Sequence, residues 1–221
     1  MILMKTQVTA TQRALNLWAI VLIVWALYRS YFKTDLPVWF DEFVAKPVVF
    51  VLPIYWYITY LEKKSFFSEI WLLRKNFSNN VFIGLGVGAV FIFSGALGNY
   101  ILTKSIFPAN NLATEAIMMV ILTALATGIT EEILSRGFVL KKLYQESKNI
   151  YSSIFLSSVL FFFLHVPILF TSHMFGASLL RVMLADVVLS VTVSIFYLDR
   201  KSIVIPILIH ALYNISLMLY M

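Results

Sequence analysis

Ser152-Ser153-Ile154-Phe155-Leu156-Ser157-Ser158-Val159-Leu160-Phe161-Phe162-Phe163-Leu164-His165 is the stretch that decides the fold. It holds no Lys, Arg, Asp or Glu, and its large side chains do not alternate with polar ones. A transmembrane barrel strand alternates apolar and polar residues over about ten positions. This run does not, and Leu15 to Tyr28 is a second long apolar run. In hydrocarbon only helices and closed barrels satisfy every backbone group, so an all-α, polytopic transmembrane bundle is expected.

Composition agrees. Of 221 residues, 61% are hydrophobic and 13% charged, against about 25% charged in an ordinary soluble domain. Mean hydropathy is +0.88. Too little polar surface exists to cover a water-soluble globule, so lipid is the partner of most of the chain. With no cysteine, a disulfide framework, a thiolate nucleophile and a thiolate metal site are excluded. A net charge of +6 invites a nucleic-acid reading. The basic residues, however, lie between apolar runs, as at a cytoplasmic membrane face, and nucleic acid is rejected.

Working outward, seven spans are predicted, roughly Ala14–Tyr31, Val44–Leu61, Val81–Leu102, Ala113–Leu134 (running on to about Tyr144), Tyr151–Phe170, Ala177–Leu198 and Ile203–Tyr220. Each suits a hydrocarbon core of about 30 Å. Short connections make residues 1–221 one domain. The first span lacks a small-x-small cleavage site and is kept as a helix. Lys63 to Asn79 mixes charges with Phe66, Phe67, Ile70, Trp71, Leu72 and Leu73, and is expected to lie on the cytoplasmic interface as an amphipathic helix. Gly137 to Gln145 is a second candidate. An ordinary connecting loop is the alternative for both.

Lys5, Arg13, Lys63, Lys64, Arg74, Lys75, Lys141, Lys142, Lys148, Arg200 and Lys201 flank one side of the spans. Arg29, Lys33, Lys46, Lys104 and Arg181 flank the other. The positive-inside rule puts the N-terminus in the cytoplasm and the C-terminus outside.

Ionisable groups inside spans cost at least about 2.5–3.5 kcal/mol each at a helix centre, so they are the informative positions. Glu131 and Glu132 are adjacent and point to different faces. Glu132 and Arg136, spaced i, i+4, can pair on one face, which leaves Glu131 available for chemistry. Alternatively, both acids merely pair with interfacial bases. His165 lies among large apolar residues, with Phe161 one turn earlier to wall its site, or else is a packed core histidine. His210 and Asn214 share one helical stripe and line a cavity, or form interhelical hydrogen bonds. At 1.5 Å rise per residue, His165 lies about 21 Å from the cytoplasmic end of its span, His210 about 10 Å, Asn214 about 16 Å and Glu131 about 15 Å. Tilt lets the four share one layer, an agreement that unrelated structural residues have no need to show.

These residues spell Glu131-Glu132-x-x-x-Arg136, Phe161-x-x-x-His165 and His210-x-x-x-Asn214. In that order, on successive apolar segments, the motifs resemble those of the CAAX-protease and bacteriocin-processing (CPBP, or Abi) family of intramembrane endopeptidases. The family-like core covers about residues 113–221. The resemblance implies that Glu131 is the catalytic glutamate and His165 its partner in activating water. It implies that His210 and Asn214 stabilise the oxyanion, and that Glu132 and Arg136 support the site. The chemistry is reasonable: amide hydrolysis needs a base beside water, a proton for the leaving amine and donors for the oxyanion.

The expected protein is therefore an intramembrane endopeptidase, of a prokaryotic plasma membrane, acting on a membrane-associated peptide or protein without a cofactor. A zinc peptidase using Glu131, His165 and His210 is the nearest rival, although no His-Glu-x-x-His motif is present. A bacteriocin self-immunity protein that acts by binding is the second. A transporter lined by Asp186 and Asn99 is the third, without inverted repeats or paired broken helices to support it. Gly84, Gly88, Gly95 and Gly98 read as a close-packing face. Trp18, Trp25, Trp39, Trp56 and Trp71 include candidate interfacial anchors. His173, beside Ser172, is placed in an external loop.

Overall fold

The computed structural model describes residues 8–32, 36–72, 76–107, 114–171 and 176–220. All regular structure among them is helical. We number the helices α1 (Ala10–Phe32), α2 (Val38–Leu61), α3 (Phe66–Glu69), α4 (Phe77–Thr103), α5 (Ala116–Ser147), α6 (Ile150–Thr171), α7 (Gly176–Arg200) and α8 (Val204–Tyr220). Six are long and apolar enough to cross a membrane. The seventh expected span, α8, has 17 residues and is about 25 Å long.

Three differences from the sequence reading matter. First, α2 begins at Val38, six residues before the expected Val44, so Asp41, Glu42 and Lys46 lie inside a helix and are buried. Second, the amphipathic helix expected from Lys63 to Asn79 shrinks to the single turn α3. Lys63, Trp71 and Asn76 all have positive φ, of 54°, 60° and 67°, and a side-chain-bearing residue in that region interrupts a helix. Third, Gly137 to Gln145 does not form a helix of its own. It continues α5, and Phe138, Leu140 and Leu143 are buried in the core. His173, Ser172, Lys5, Lys33, Arg74 and Lys75 fall outside the described residues.

Three helices contain wide, π-helical turns, one of them at Tyr28–Phe32, the end of α1. In α2 these are Asp41–Ala45, Pro47–Val51 and Tyr57–Leu61. In α5 the wide stretch is Ile133–Leu140, where the Lys141 N–H reaches back five residues to the Arg136 carbonyl. Such turns carry an extra residue per turn and recur at functional sites. Those of α2 and α5 adjoin the two most charged stretches of buried helix.

Packing divides into two apolar cores. One joins Ala14, Trp18, Val21 and Trp25 of α1 to Phe50, Ile54 and Ile58 of α2 and to Phe138 and Leu140 of α5. The 4-3-4 spacing of the α1 residues is a helical stripe. Trp25 packs edge-on against Phe50, ring centroids 5.1 Å apart, and Trp71 stacks on Tyr197 at 4.7 Å. These three tryptophans, Trp18, Trp25 and Trp71, are therefore packing residues rather than interfacial anchors; Trp39 and Trp56 are exposed. The other core gathers Phe161, Leu189, Val193, Ile205, Ile209 and Tyr213. The expected glycine face is real at Gly84 and Gly88. A Cβ on either would lie 2.9 Å from the Cβ of Leu208 or Leu212, so α4 and α8 meet at backbone distance.

Candidate active site

The site is built from α2, α5, α6, α7 and α8. Glu131 and Glu132 end the regular part of α5, just before its wide turns. Both are buried, at 3% and 0% exposure. As expected from their adjacency, they face different neighbours.

Glu132 meets Arg136. Arg136 Nη1 donates to Glu132 Oε1 at 2.8 Å, and neither side chain has any exposed surface. Arg136 Nη2 donates to Ser190 Oγ at 2.7 Å and to the Ser190 carbonyl at 3.2 Å. Ser190 Oγ donates to Ser158 Oγ, and the guanidinium lies 4.3 Å from the Phe161 ring centroid. A buried ion pair persists only when additional hydrogen bonds compensate its desolvation, and these supply them. His210 Nδ1 lies 2.7 Å from the same Glu132 oxygen. A carboxylate oxygen that already accepts from Arg136 can only accept again, so His210 Nδ1 carries a proton.

Glu131 has two unlike oxygens. Oε1 accepts from Lys46 Nζ at 2.8 Å. Oε2 is buried without a hydrogen-bond partner. It lies 3.5 Å from His165 Nε2 and 3.8 Å from His210 Nε2. His165 Nδ1 sits 3.1 Å from the Phe161 carbonyl, which only accepts, so this nitrogen too is protonated. In its neutral form His165 turns a bare Nε2 lone pair toward Glu131 Oε2, 3.5 Å away. Phe161 holds both rings, with centroids 4.8 Å from His165 and 5.7 Å from His210.

The structure thus brings Glu131, Glu132, Arg136, Phe161, His165 and His210 together. Asn214 is on the His210 side of α8, one turn on and half-buried; its side chain makes no hydrogen bond among the described residues. The sequence reading missed Glu42 and Lys46. Lys46 Nζ also pairs with Glu42 Oε2 at 2.8 Å, and Thr127 Oγ1 donates to that oxygen at 2.6 Å. Counting Lys46 among external flanking bases is corrected here: it is 3% exposed and bound to the site. The available signal was the i, i+4 spacing of Glu42 and Lys46, the same as that of Glu132 and Arg136. Ser158 and Ser190 gave none.

A glycine allows the closure. A Cβ on Gly128 would stand 3.0 Å from the Ile207 carbonyl oxygen and 3.4 Å from the Ala211 nitrogen. The absent side chain lets α8 approach α5 one turn before Glu131 and Glu132. Asp186 takes no part in the cluster; Tyr213 Oη donates to its Oδ1 at 2.9 Å. Asn99 Nδ2 donates to the carbonyls of Ser105 and Phe107 and ties the end of α4. A cavity of about 570 Å³ lies elsewhere, among Gly95, Asn99, Arg181, Ser216 and Tyr220. The candidate site is placed at the charge cluster rather than at this cavity.

Residues 113–216 match the sequence model of the family described as Type II CAAX prenyl endopeptidase Rce1-like. No curated protein and no solved structure matches the chain. The matched segment contains Glu131, Glu132, Arg136, Phe161, His165, His210 and Asn214, but neither Glu42 nor Lys46. Over that segment, just under half of the chain, the protein is similar to the Rce1-like proteases of the CPBP family, and it is an integral membrane protein.

Proposed function

We propose that the protein is a metal-free intramembrane endopeptidase that hydrolyses a peptide bond of a membrane-associated peptide or protein. One observation carries the proposal. Glu131 Oε2, buried and without a hydrogen-bond partner among the described residues, faces His165 Nε2 at 3.5 Å. With the imidazole neutral these are two acceptors, which cannot bond each other. They suit a molecule that donates to both, and the hydrolytic water is one.

In the proposed reaction, Glu131 takes a proton from the water while its oxygen attacks the scissile carbonyl carbon. His165 orients that water. His210, with Asn214 one turn along the same helix, faces the developing oxyanion. When the C–N bond breaks, the proton held by Glu131 passes to the leaving amine. The Lys46 ammonium 2.8 Å from the carboxylate opposes a dication at the same place, which favours the metal-free route over zinc. The family description favours a prenylated substrate with a Cys-aliphatic-aliphatic-X terminus. We place the N-terminus in the cytoplasm by the Lys/Arg asymmetry, which sharpens once Lys46 leaves the external set.

The test uses purified protein in lipid nanodiscs and a fluorogenic farnesylated Cys-aliphatic-aliphatic-X peptide. Glu131→Gln is expected to lower hydrolysis by about 10²–10⁴-fold in protein that still accumulates folded in the membrane. Equal rates for the two proteins overturn the reading. Activity that vanishes on chelation and returns with zinc overturns the metal-free mechanism. For a bacteriocin self-immunity protein that acts only by binding, the protective effect in cells would survive Glu131→Ala.

A further inference from the structure

The buried network contains more acid than base. Glu42, Glu131 and Glu132 supply three carboxylates, Lys46 and Arg136 two cations, and all five are at most 9% exposed. The contacts are continuous: Glu42 to Lys46, Lys46 to Glu131, Glu131 to His210 at 3.8 Å, and Glu132 to both His210 and Arg136. With neutral imidazoles, one uncompensated negative charge would remain in low dielectric, a costly state.

The neighbours do not cancel it. On α1 and α2, Arg29 pairs with Asp41 at 2.6 Å. On α7, Asp186 is a further acid, bonded to Tyr213. On α6 and α8 the titratable groups at the cluster are His165 and His210 themselves. His165 is 21% exposed at its side chain, whereas His210 is 2% exposed and lies between the two carboxylates, 2.7 Å from Glu132 and 3.8 Å from Glu131.

We infer that Lys46 and Glu42 set the proton count of the site, so that the resting network holds one extra proton, carried by His210 Nε2, while Glu131 stays ionised. The consequence for catalysis rests on the peptidase reading; the proton count does not. His210 Nδ1 is committed to Glu132, so a neutral ring offers only a lone pair at Nε2. The second proton turns that nitrogen into a donor aimed toward Glu131 and the reacting carbonyl. Lys46 is a positioning residue in this scheme. Without its charge the network takes up another proton, and Glu131, the group that must accept one from water, is occupied. Glu42 acts in the opposite sense, because it draws part of the ammonium's field away from Glu131.

Charge counting yields opposite outcomes for two neighbouring residues. Lys46→Met makes the network more acidic in composition, so it holds protons more tightly and the pH–rate profile moves to higher pH. Glu42→Gln moves the profile to lower pH. Each shift is expected to be about 1–3 pH units, the effect of one charge at contact distance. The double variant restores the count, and its profile returns to within about half a unit of the wild type. Lys46→Arg keeps the charge and the profile. Shifts in the same direction, or none in either single variant while the wild type is active and Glu131→Gln is not, overturn the inference and leave the peptidase reading standing.

A second measurement needs no activity and holds if no peptide is cleaved. Infrared spectra of the nanodisc protein at neutral pH are expected to show a protonated carboxyl C=O band in Lys46→Met that the wild type lacks. The band should vanish in Lys46→Met/Glu131→Gln. Its absence from the folded Lys46→Met protein, or its persistence in the double variant, overturns the proton count. If Lys46→Met does not fold, Glu42→Gln decides through the ring-nitrogen NMR of His210. Loss of the second ring proton supports the count, and an unchanged doubly protonated ring overturns it.

Discussion

Arg136 shows how strictly a single buried residue can be constrained. It has no exposed surface and satisfies Glu132, Ser190 and the face of Phe161 together. Arg136→Leu strands the Glu132 charge, and breaking a buried pair from one side costs about 3–5 kcal/mol. Denaturant unfolding in detergent is expected to show a loss of that order, with a fall in the amount of protein reaching the membrane. Replacing Ser190 with Ala removes one of several bonds to the guanidinium and should cost only about 0.5–1.5 kcal/mol. A Ser190→Ala loss as large as that of Arg136→Leu would mean the serine pair, rather than the ion pair, anchors α7. These motif residues were legible in the sequence because charge inside an apolar run is costly and therefore conspicuous. Lys46 was not, although it is as deeply buried. A lysine at the edge of an apolar run is usually a flank, and its partner Glu131 is 85 positions away.

Among the elements, α8 is positioned by what its neighbours lack. Gly84 and Gly88 let it touch α4, and Gly128 lets it touch α5 beside the site. Gly128→Ala inserts a methyl 3.0 Å from the Ile207 carbonyl, so α8 must yield by a few tenths of an ångström. Hydrolysis is expected to fall about tenfold to a hundredfold, since small misplacements of catalytic groups are costly, while the protein still accumulates. Gly88→Leu clashes directly with Leu212 and should reduce accumulation itself. The helical class and the rough limits of the long helices followed from hydropathy. The wide turns of α2 and α5 did not, because an extra residue per turn leaves a uniformly apolar pattern unchanged. The early end of α3 was equally hidden. It involves left-handed backbone at Trp71, a residue type that gives no such signal.

On the scale of the whole molecule, the lysines near the end of α5 tie the connection after α2 to the bundle. Lys142 Nζ donates to both oxygens of Glu62 at 2.7 Å, and Lys141 Nζ donates to the Glu69 carbonyl. Burial alone would raise the Glu69 carboxyl, but Lys141, Lys142 and Lys64 outweigh it and hold the group below its ordinary 4.5. A depressed carboxyl stabilises the fold above its unfolded value and loses that contribution as pH falls through the folded one. Thermal stability should therefore decline below about pH 4.5, and less steeply in Glu69→Gln; identical slopes would remove Glu69 from the account. The cysteine-free chain also permits a clean topology test. In intact cells, an impermeant thiol reagent should label Lys104→Cys and spare Lys148→Cys. The order of the charged partners along the chain has a consequence for biosynthesis. Lys46 precedes Glu131, and Arg136 follows Glu132 by one turn, so each acid meets its cation as soon as α5 is made. The two imidazoles emerge from the ribosome only later. On the peptidase reading, a nascent chain can thus shelter its carboxylates in the bilayer without being able to cut, and becomes competent only when translation delivers α8.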